Sequence, residues 1–460
     1  MDDLALLLSR LQFAFTISFH IIFPAFSIGL AAWLTVLEAL HLWTGRPTYR
    51  VLFDFWLKIF GVAFGLGVVS GIVMAFQFGT NWSVLSRMVG SIQGVLLSYE
   101  TFTAFALEAG FFGVLIFGRS RVPPWFYLFS TAMVALGTSL SAFWIMANNS
   151  WMQVPVGYVV ENGTFVPNDW FRIIFSPVLW VRFPHMLLAA YLTGAFCVAA
   201  TGAWYLLRRI HPAEAHIMLG MGLGLAAVLV PVQIFFGHLC GDYVHEYQPA
   251  KFAAIEARWH DEQPASEVLI AIPDPATQSN KYAITIPVLG SLIASLSFTS
   301  KEVGLTSFPP QDRPPVIIPF FTFRIMVGCG LLMLALAWLG SYLMLRQRLE
   351  QNRLLLWAIF FPLPFIAILT GWYTAEVGRQ PWVVYGLLRT ADAVTPFLTA
   401  RSATISLVVF VVVYALIFAF GTFYIYRLLR AGPGGRLLAP TPAPTPSRPM
   451  SLADQDATAS

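Results

Sequence analysis

Residues 216–240, HIMLGMGLGLAAVLVPVQIFFGHLC, run for 25 positions without an Asp, Glu, Lys or Arg. A membrane-spanning helix needs roughly 20 mainly apolar residues, so this stretch reads as a complete span. Directly after it the character changes. Positions 241–317 hold Asp242, Glu246, Lys251, Glu256, Asp261, Glu262, Glu267, Asp274, Lys281, Lys301, Glu302, Asp312 and Arg313, with several prolines. That segment predicts a solvent-facing loop, and loops of this length in compact proteins are usually functional. Working outward, the same signature recurs at about 13–40, 55–76, 95–117, 125–149, 181–207, 318–345, 354–376 and 403–430, which makes nine spans. The chain therefore divides into spans 1–6 (1–240), the loop (241–317), spans 7–9 (318–430) and a Pro-rich tail (431–460) expected to be disordered. The expected fold is an all-α polytopic membrane protein.

Composition agrees. Of 460 residues, 57% are hydrophobic and only 11% charged, against roughly 25% charged in a soluble domain. There is too little polar surface for a water-soluble globule, which excludes a cytosolic enzyme, a disordered chain and a fibrous repeat. A net charge of +4 is too small and too dispersed for nucleic-acid binding. Cys197, Cys240 and Cys329 lie in or beside apolar runs, so they read as small buried hydrophobes, neither a disulfide framework nor a thiolate metal site. The N-terminus, MDDLALLLSRLQFAF, is acidic before its apolar run, unlike a secretory signal, and reads as a retained helix. With the N-terminus placed outside, one set of short loops collects twelve arginines and the opposite set six. Positive charge marks the cytoplasmic side, so the long loop is expected to be periplasmic and the C-terminus cytoplasmic.

Ionisable groups at membrane depth are costly and so are functional candidates. His20 sits in the first span, Glu100 and Glu108 in the third, Arg182 and His185 at the start of the fifth, Arg324 and Met326 in the seventh, and Glu376 with Arg379 at the end of the eighth. A buried His is either a hydrogen-bonded core residue or a ligand. Two of them, together with buried acids and a buried Met, favour ligands, since imidazole and thioether are axial ligands of haem iron. Glu100 and Glu108, eight apart, fall within roughly 80° and roughly 12 Å on an α-helix, which suits a proton relay as well as a pair of protonated structural acids. Glu376 and Arg379 can form an i,i+3 ion pair, or Glu376 can be a ligand. Histidines enough for a haem–copper centre are absent, as are paired bis-His helices. No repeat supports a transporter, although a transporter or proton channel, or a haem-containing sensor, would share some of these groups.

Several stretches carry a family resemblance: SRLQFAFTISFH (9–20), FQFGTNWS (76–83), GTSLSAFWIMANNSWMQVP (137–155), KFAAIEARW (251–259), FRIMVGCG (323–330) and GWYTAEVGRQPW (371–382). Across about residues 5–430 the chain resembles subunit I of the cytochrome bd-type quinol oxidases, bacterial terminal oxidases of the cytoplasmic membrane. The resemblance implies a nine-helix subunit that oxidises quinol at the periplasmic side and reduces oxygen to water, with protons drawn from the cytoplasm and no pump. It implies low-spin haem b on His185 and Met326, with Arg324 beside it. His20 and Glu376 match the ligands of two high-spin haems, one b-type and one that reduces oxygen; which residue serves which stays open. Glu100 and Glu108 match the acids near that pair, Lys251 and Glu256 the quinol-loop pair, and Arg379 an arginine that meets haem propionates. Subunit II is the implied partner, with a very small single-helix subunit in some members. Two departures stand out. Ala75 replaces an acid that many members carry before FQFGTNW, and the loop from Lys251 to near Phe320 lacks a long insertion. Both resemble the cyanide-insensitive branch, in which the oxygen-reducing haem is either haem d or a third haem b.

Overall fold

The computed structural model describes residues 3–434. Among these, nine helices are long and apolar enough to cross a membrane: Asp3–Thr44, Pro47–Thr80, Ser83–Phe117, Pro124–Gln153, Trp170–Arg208, Pro212–Tyr247, Ile317–Leu345, Arg353–Val377 and Ala400–Ala431. They match the nine expected spans in order, so the all-α membrane architecture holds. Most of the expected tail lies outside the described residues.

The ends differ from the hydropathy reading for identifiable reasons. The third helix starts at Ser83, well before the expected 95. Its first turns are amphipathic: Leu85, Val89 and Ile92 pack on Trp151, Phe165, Val384 and Leu388, while the other face is polar. A hydropathy window averages those faces and misses the helix. The sixth helix continues past Cys240 to Tyr247, because an emerging helix needs no apolar surroundings; His238 and Asp242 pair one turn apart along it at 3.7 Å. The eighth is two helical pieces, Arg353–Phe360 and Leu363–Val377, broken where Pro362 cannot donate a backbone hydrogen bond.

Small residues set the closest crossings. A Cβ on Gly29 would lie 2.8 Å from the Cα of Gly194, so the first and fifth spans touch backbone to backbone. Gly202 and Gly222 do the same between the fifth and sixth spans, against Ala215 and Ala195. Larger side chains fill the rest; Leu30, Leu34 and Leu37 interlock with Phe53, Trp56, Phe60, Tyr127 and Tyr205. One charged knot closes this end. Arg119 forks onto the buried Glu38 (3.1 and 2.7 Å) and lies over the rings of Phe53 and Tyr127. Cys197, Cys240 and Cys329 are free thiols.

The segment 241–317 is a folded cap. It contains a short helix Pro249–Ile255, an antiparallel hairpin of Glu267–Asp274 with Ser279–Ile286, and a helix Leu289–Ser295. Ala253, Ala254, Trp259, Val268, Ala271 and Leu305 form its own small core, seated on Val316 and Phe320 at the start of the seventh span. Its charges are internal staples. Glu302, 1% exposed, accepts from His245 (2.8 Å) and Ser295 (2.7 Å). Asp261 takes Lys301 (2.8 Å), the Gly304 N–H (2.9 Å) and the Ser307 hydroxyl (2.7 Å). His245 is thus a structural partner of a buried acid.

Candidate functional site

His20 projects from the first span towards the second. Its Nδ1 lies 2.9 Å from the Ser70 hydroxyl, which is also 2.8 Å from the Leu66 carbonyl. A hydroxyl has one proton to give. With that proton on the carbonyl, Ser70 accepts from Nδ1–H, and Nε2 keeps its lone pair, the arrangement that orients a metal-binding imidazole. Gly71 flanks the ring; a Cβ there would lie 3.1 Å from His20 Cε1.

His185 and Met326 have similar settings. The His185 ring meets the sixth span, with Gly237 beside Cε1 and Gln233 Nε2 3.5 Å from its Nε2; its buried Nδ1 has no partner among the described residues. Met326 turns to the eighth span, where a Cβ on Gly371 would lie 2.7 Å from Sδ. Three of the four expected haem ligands, His20, His185 and Met326, therefore face a glycine on a neighbouring helix.

Glu376 ends the eighth span inside a polar network. Oε1 accepts from Asn149 (3.0 Å) and Gln153 (3.2 Å), and Oε2 pairs with Arg379. Arg182 holds Asn149 and Ser150. Gln153 in turn accepts from Gln248 (3.0 Å) and Lys251 (3.3 Å), and Lys251 also donates to the Ala375 carbonyl (2.9 Å). Burial, reinforced by Arg182, pulls the Lys251 ammonium down to about 7. Arg379, 5% exposed, leaves Nε and Nη1 without partners among the described residues.

These features fit a haem. There are imidazoles with an unused ring nitrogen, a thioether, glycines that leave room beside all three, and a buried guanidinium with two donors free for a carboxylate such as a propionate.

Glu100 lies in a π-helical segment, Glu100–Phe105, inside the third span. Such segments change the angular spacing that 3.6 residues per turn implies and often mark functional sites. Both acids nevertheless face the fourth span. Ser141 donates to Glu100 at 2.8 Å, and Glu108 packs against Gly137, one turn away.

The expected loop pair is separated. Lys251 points to the fourth and eighth spans, whereas Glu256 meets Arg324 at 3.3 Å. Arg324 is engaged mainly with the cap. Its donors reach the carbonyls of Ile255 (2.8 Å) and Val268 (2.9 Å) and the carboxylates of Glu256 and Glu267, and its plane lies 3.7 Å from the Phe320 ring centre. Sequence reading missed Ser70, Ser141, Asn149, Gln153 and Glu267 as site residues. Asn149 and Gln153 had a signal, polar side chains near the end of an apolar span within a quoted motif; Glu267 had none.

The chain is similar to known proteins over most of its length. The family model described as cytochrome bd terminal oxidase subunit I matches residues 8–433. The Bacillus subtilis (strain 168) cytochrome bd ubiquinol oxidase subunit 1 is 37% identical, over 93% of this chain and 94% of the relative. The Escherichia coli (strain K12) cytochrome bd-II ubiquinol oxidase subunit 1 is 32% identical, over 93% and 96%. The bd oxidase structure from Geobacillus thermodenitrificans superposes with a TM-score of 0.85 at 29% identity, covering 93% of this chain and 99% of that one.

Proposed function

The chain belongs to the cytochrome bd terminal oxidase subunit I family, a multi-pass protein of the bacterial cytoplasmic membrane, and from that premise we propose that it oxidises quinol at the cap and supports reduction of oxygen to water inside the helix bundle. The observation that carries this reading is the continuous polar network from Lys251 in the cap through Gln153 to Glu376 and Arg379. It joins the buried base of the cap to a ligand-type residue at the end of a span.

Bound haem supplies one-electron transfer and an iron at which oxygen is reduced. The residues that would hold it are His185 and Met326 for low-spin haem b, and His20 and Glu376 for the high-spin pair, which is one haem b with either haem d or a third haem b. Arg379 offers its two unpaired donors to propionates. The chain's own groups do the rest. Glu256 accepts a proton from a quinol hydroxyl, and Arg324 holds the cap so that this carboxylate stays in place. Lys251, with its ammonium weakened by burial, hydrogen-bonds the quinol oxygen. Glu108 and Glu100, both facing the fourth span, move protons from the cytoplasmic side towards the ligand cluster. Quinol protons leave on the periplasmic side, so charge separates without a pump. Subunit II, and a small single-helix subunit, are the proposed partners. Ala75 and the short cap favour the cyanide-insensitive branch.

A dithionite-reduced minus air-oxidised spectrum of the purified complex, with pyridine-haemochrome quantification, tests this. Three haems are expected; a red-shifted chlorin band would identify haem d, and three b-type haems the alternative. Absence of haem would overturn the ligand assignments. Glu108→Gln should slow turnover with haem content unchanged, and an unchanged rate would remove the relay.

A further inference from the structure

Glu267, the first residue of the cap hairpin, lies beside Glu256 in a way the quinol-oxidation reading does not use. Glu256 Oε2 and Glu267 Oε1 approach the same nitrogen, Arg324 Nη2, at 3.3 and 3.5 Å. The two carboxylate side chains are 8% and 13% exposed. Arg324's other donors are spent on backbone carbonyls, and Nη2 also donates to the Val268 carbonyl, so one positive charge faces two acids through one shared atom.

The surrounding elements supply little further compensation. On the short helix, Lys251 points away to Gln153 and Ala375. On the hairpin, Lys281 is engaged by Asp274 at 2.6 Å. Arg258 is the other nearby cation; it hydrogen-bonds the Ser266 carbonyl and lies near the Phe252 ring, and its charge favours the Glu267 carboxylate less than burial and Glu256 disfavour it. Two carboxyls held together with limited positive charge relieve their repulsion by keeping a proton between them. In accord with this, burial and the adjacent Glu256 push Glu267 up to about 9.

Resting on the quinol-oxidation reading, we propose that Glu267 is a positioning residue for proton release, sharing one proton with Glu256 and taking over the proton that Glu256 receives from quinol. The balance is simple. A quinol O–H bond breaks and its proton goes to the Glu256–Glu267 pair. The proton the pair already held leaves through Glu267, the more exposed acid, to water. The pair returns to one proton, and the electrons go to the haem of the proposed function. Glu256 touches the substrate; Glu267 acts through Glu256.

The test uses the intact purified complex with a soluble short-chain quinol, comparing wild type, Glu267→Gln and Glu267→Asp. Glu267→Gln is expected to lower kcat about tenfold, to leave KM within about twofold, and to remove the alkaline limb of the kcat–pH profile. Glu267→Asp, which keeps a titrating carboxyl, should restore that limb. An infrared difference spectrum between neutral and alkaline pH should show in wild type and in Glu267→Asp a protonated-carboxyl component that is lost from Glu267→Gln. A wild-type pH profile in Glu267→Gln, or a wild-type-minus-Glu267→Gln double difference with no carboxyl band, would overturn the proposal. The infrared band reads the shared proton whether or not the complex oxidises quinol, so failure of the proposed function is told apart from failure of this one.

Discussion

Replacing Arg324 with Gln removes the clamp between the seventh span and the cap. In the structure this side chain ties Ile255, Val268, Glu256 and Glu267 to the turn above Phe320. Glutamine has neither the charge nor the reach of the guanidinium fork. Each hydrogen bond to a charged group contributes about 1.5–3 kcal/mol, and severing a buried pair costs about 3–5 kcal/mol. Arg324 is 17% exposed, so the low end applies, about 3 kcal/mol. At 1.4 kcal/mol per tenfold, that is about a 100-fold increase in the population of an undocked cap. The spans pack independently of this residue, so the change is local opening and not global unfolding. The assay is limited proteolysis of the membrane-embedded complex, following cleavage within 256–290, alongside the KM for quinol. Cleavage should accelerate by about two orders of magnitude, and KM should rise at unchanged haem content. Cleavage at the wild-type rate, with only the reduction potential of the low-spin haem shifted, would refute the clamp and return Arg324 to the haem.

Gly371→Ala puts a methyl within contact range of Met326 Sδ, at 2.7 Å before relaxation; the thioether must move, and the low-spin band in the reduced spectrum should shift or broaden while haem stoichiometry holds. Ser70→Ala removes the acceptor that fixes the His20 tautomer, and should weaken haem retention at that site about 10–100-fold, read as faster haem loss to apomyoglobin. The cap should also respond to acid. Lys301, the Gly304 N–H and the Ser307 hydroxyl hold Asp261 well below the usual carboxylate range. Its contribution to cap docking is therefore complete above that ordinary range and is lost as pH falls through the depressed value. Protease sensitivity of the cap should rise at low pH in wild type, and Asp261→Asn should flatten that dependence.

The sequence was sufficient for the span count, because a membrane helix must be apolar over a fixed length whatever it packs against. It was also sufficient to single out His20, His185, Glu100, Glu108, Met326 and Glu376, because a polar group at membrane depth is conspicuous in an apolar run. Its 3.6-residue ruler was too simple for Glu100, where a π-helical segment intervenes. Its hydropathy window was blind to the amphipathic start of the third helix. The cap was legible only as charged and proline-rich. That Glu302 and Asp261 are internal staples, that Lys251 and Glu256 point to different partners, and that Glu267 joins Glu256 at Arg324 depends on residues far apart in the chain. Hydropathy is a property of one segment, so one segment can declare it. A hydrogen-bonding partner is a property of two, and only the folding of the cap onto the seventh span brings those two together.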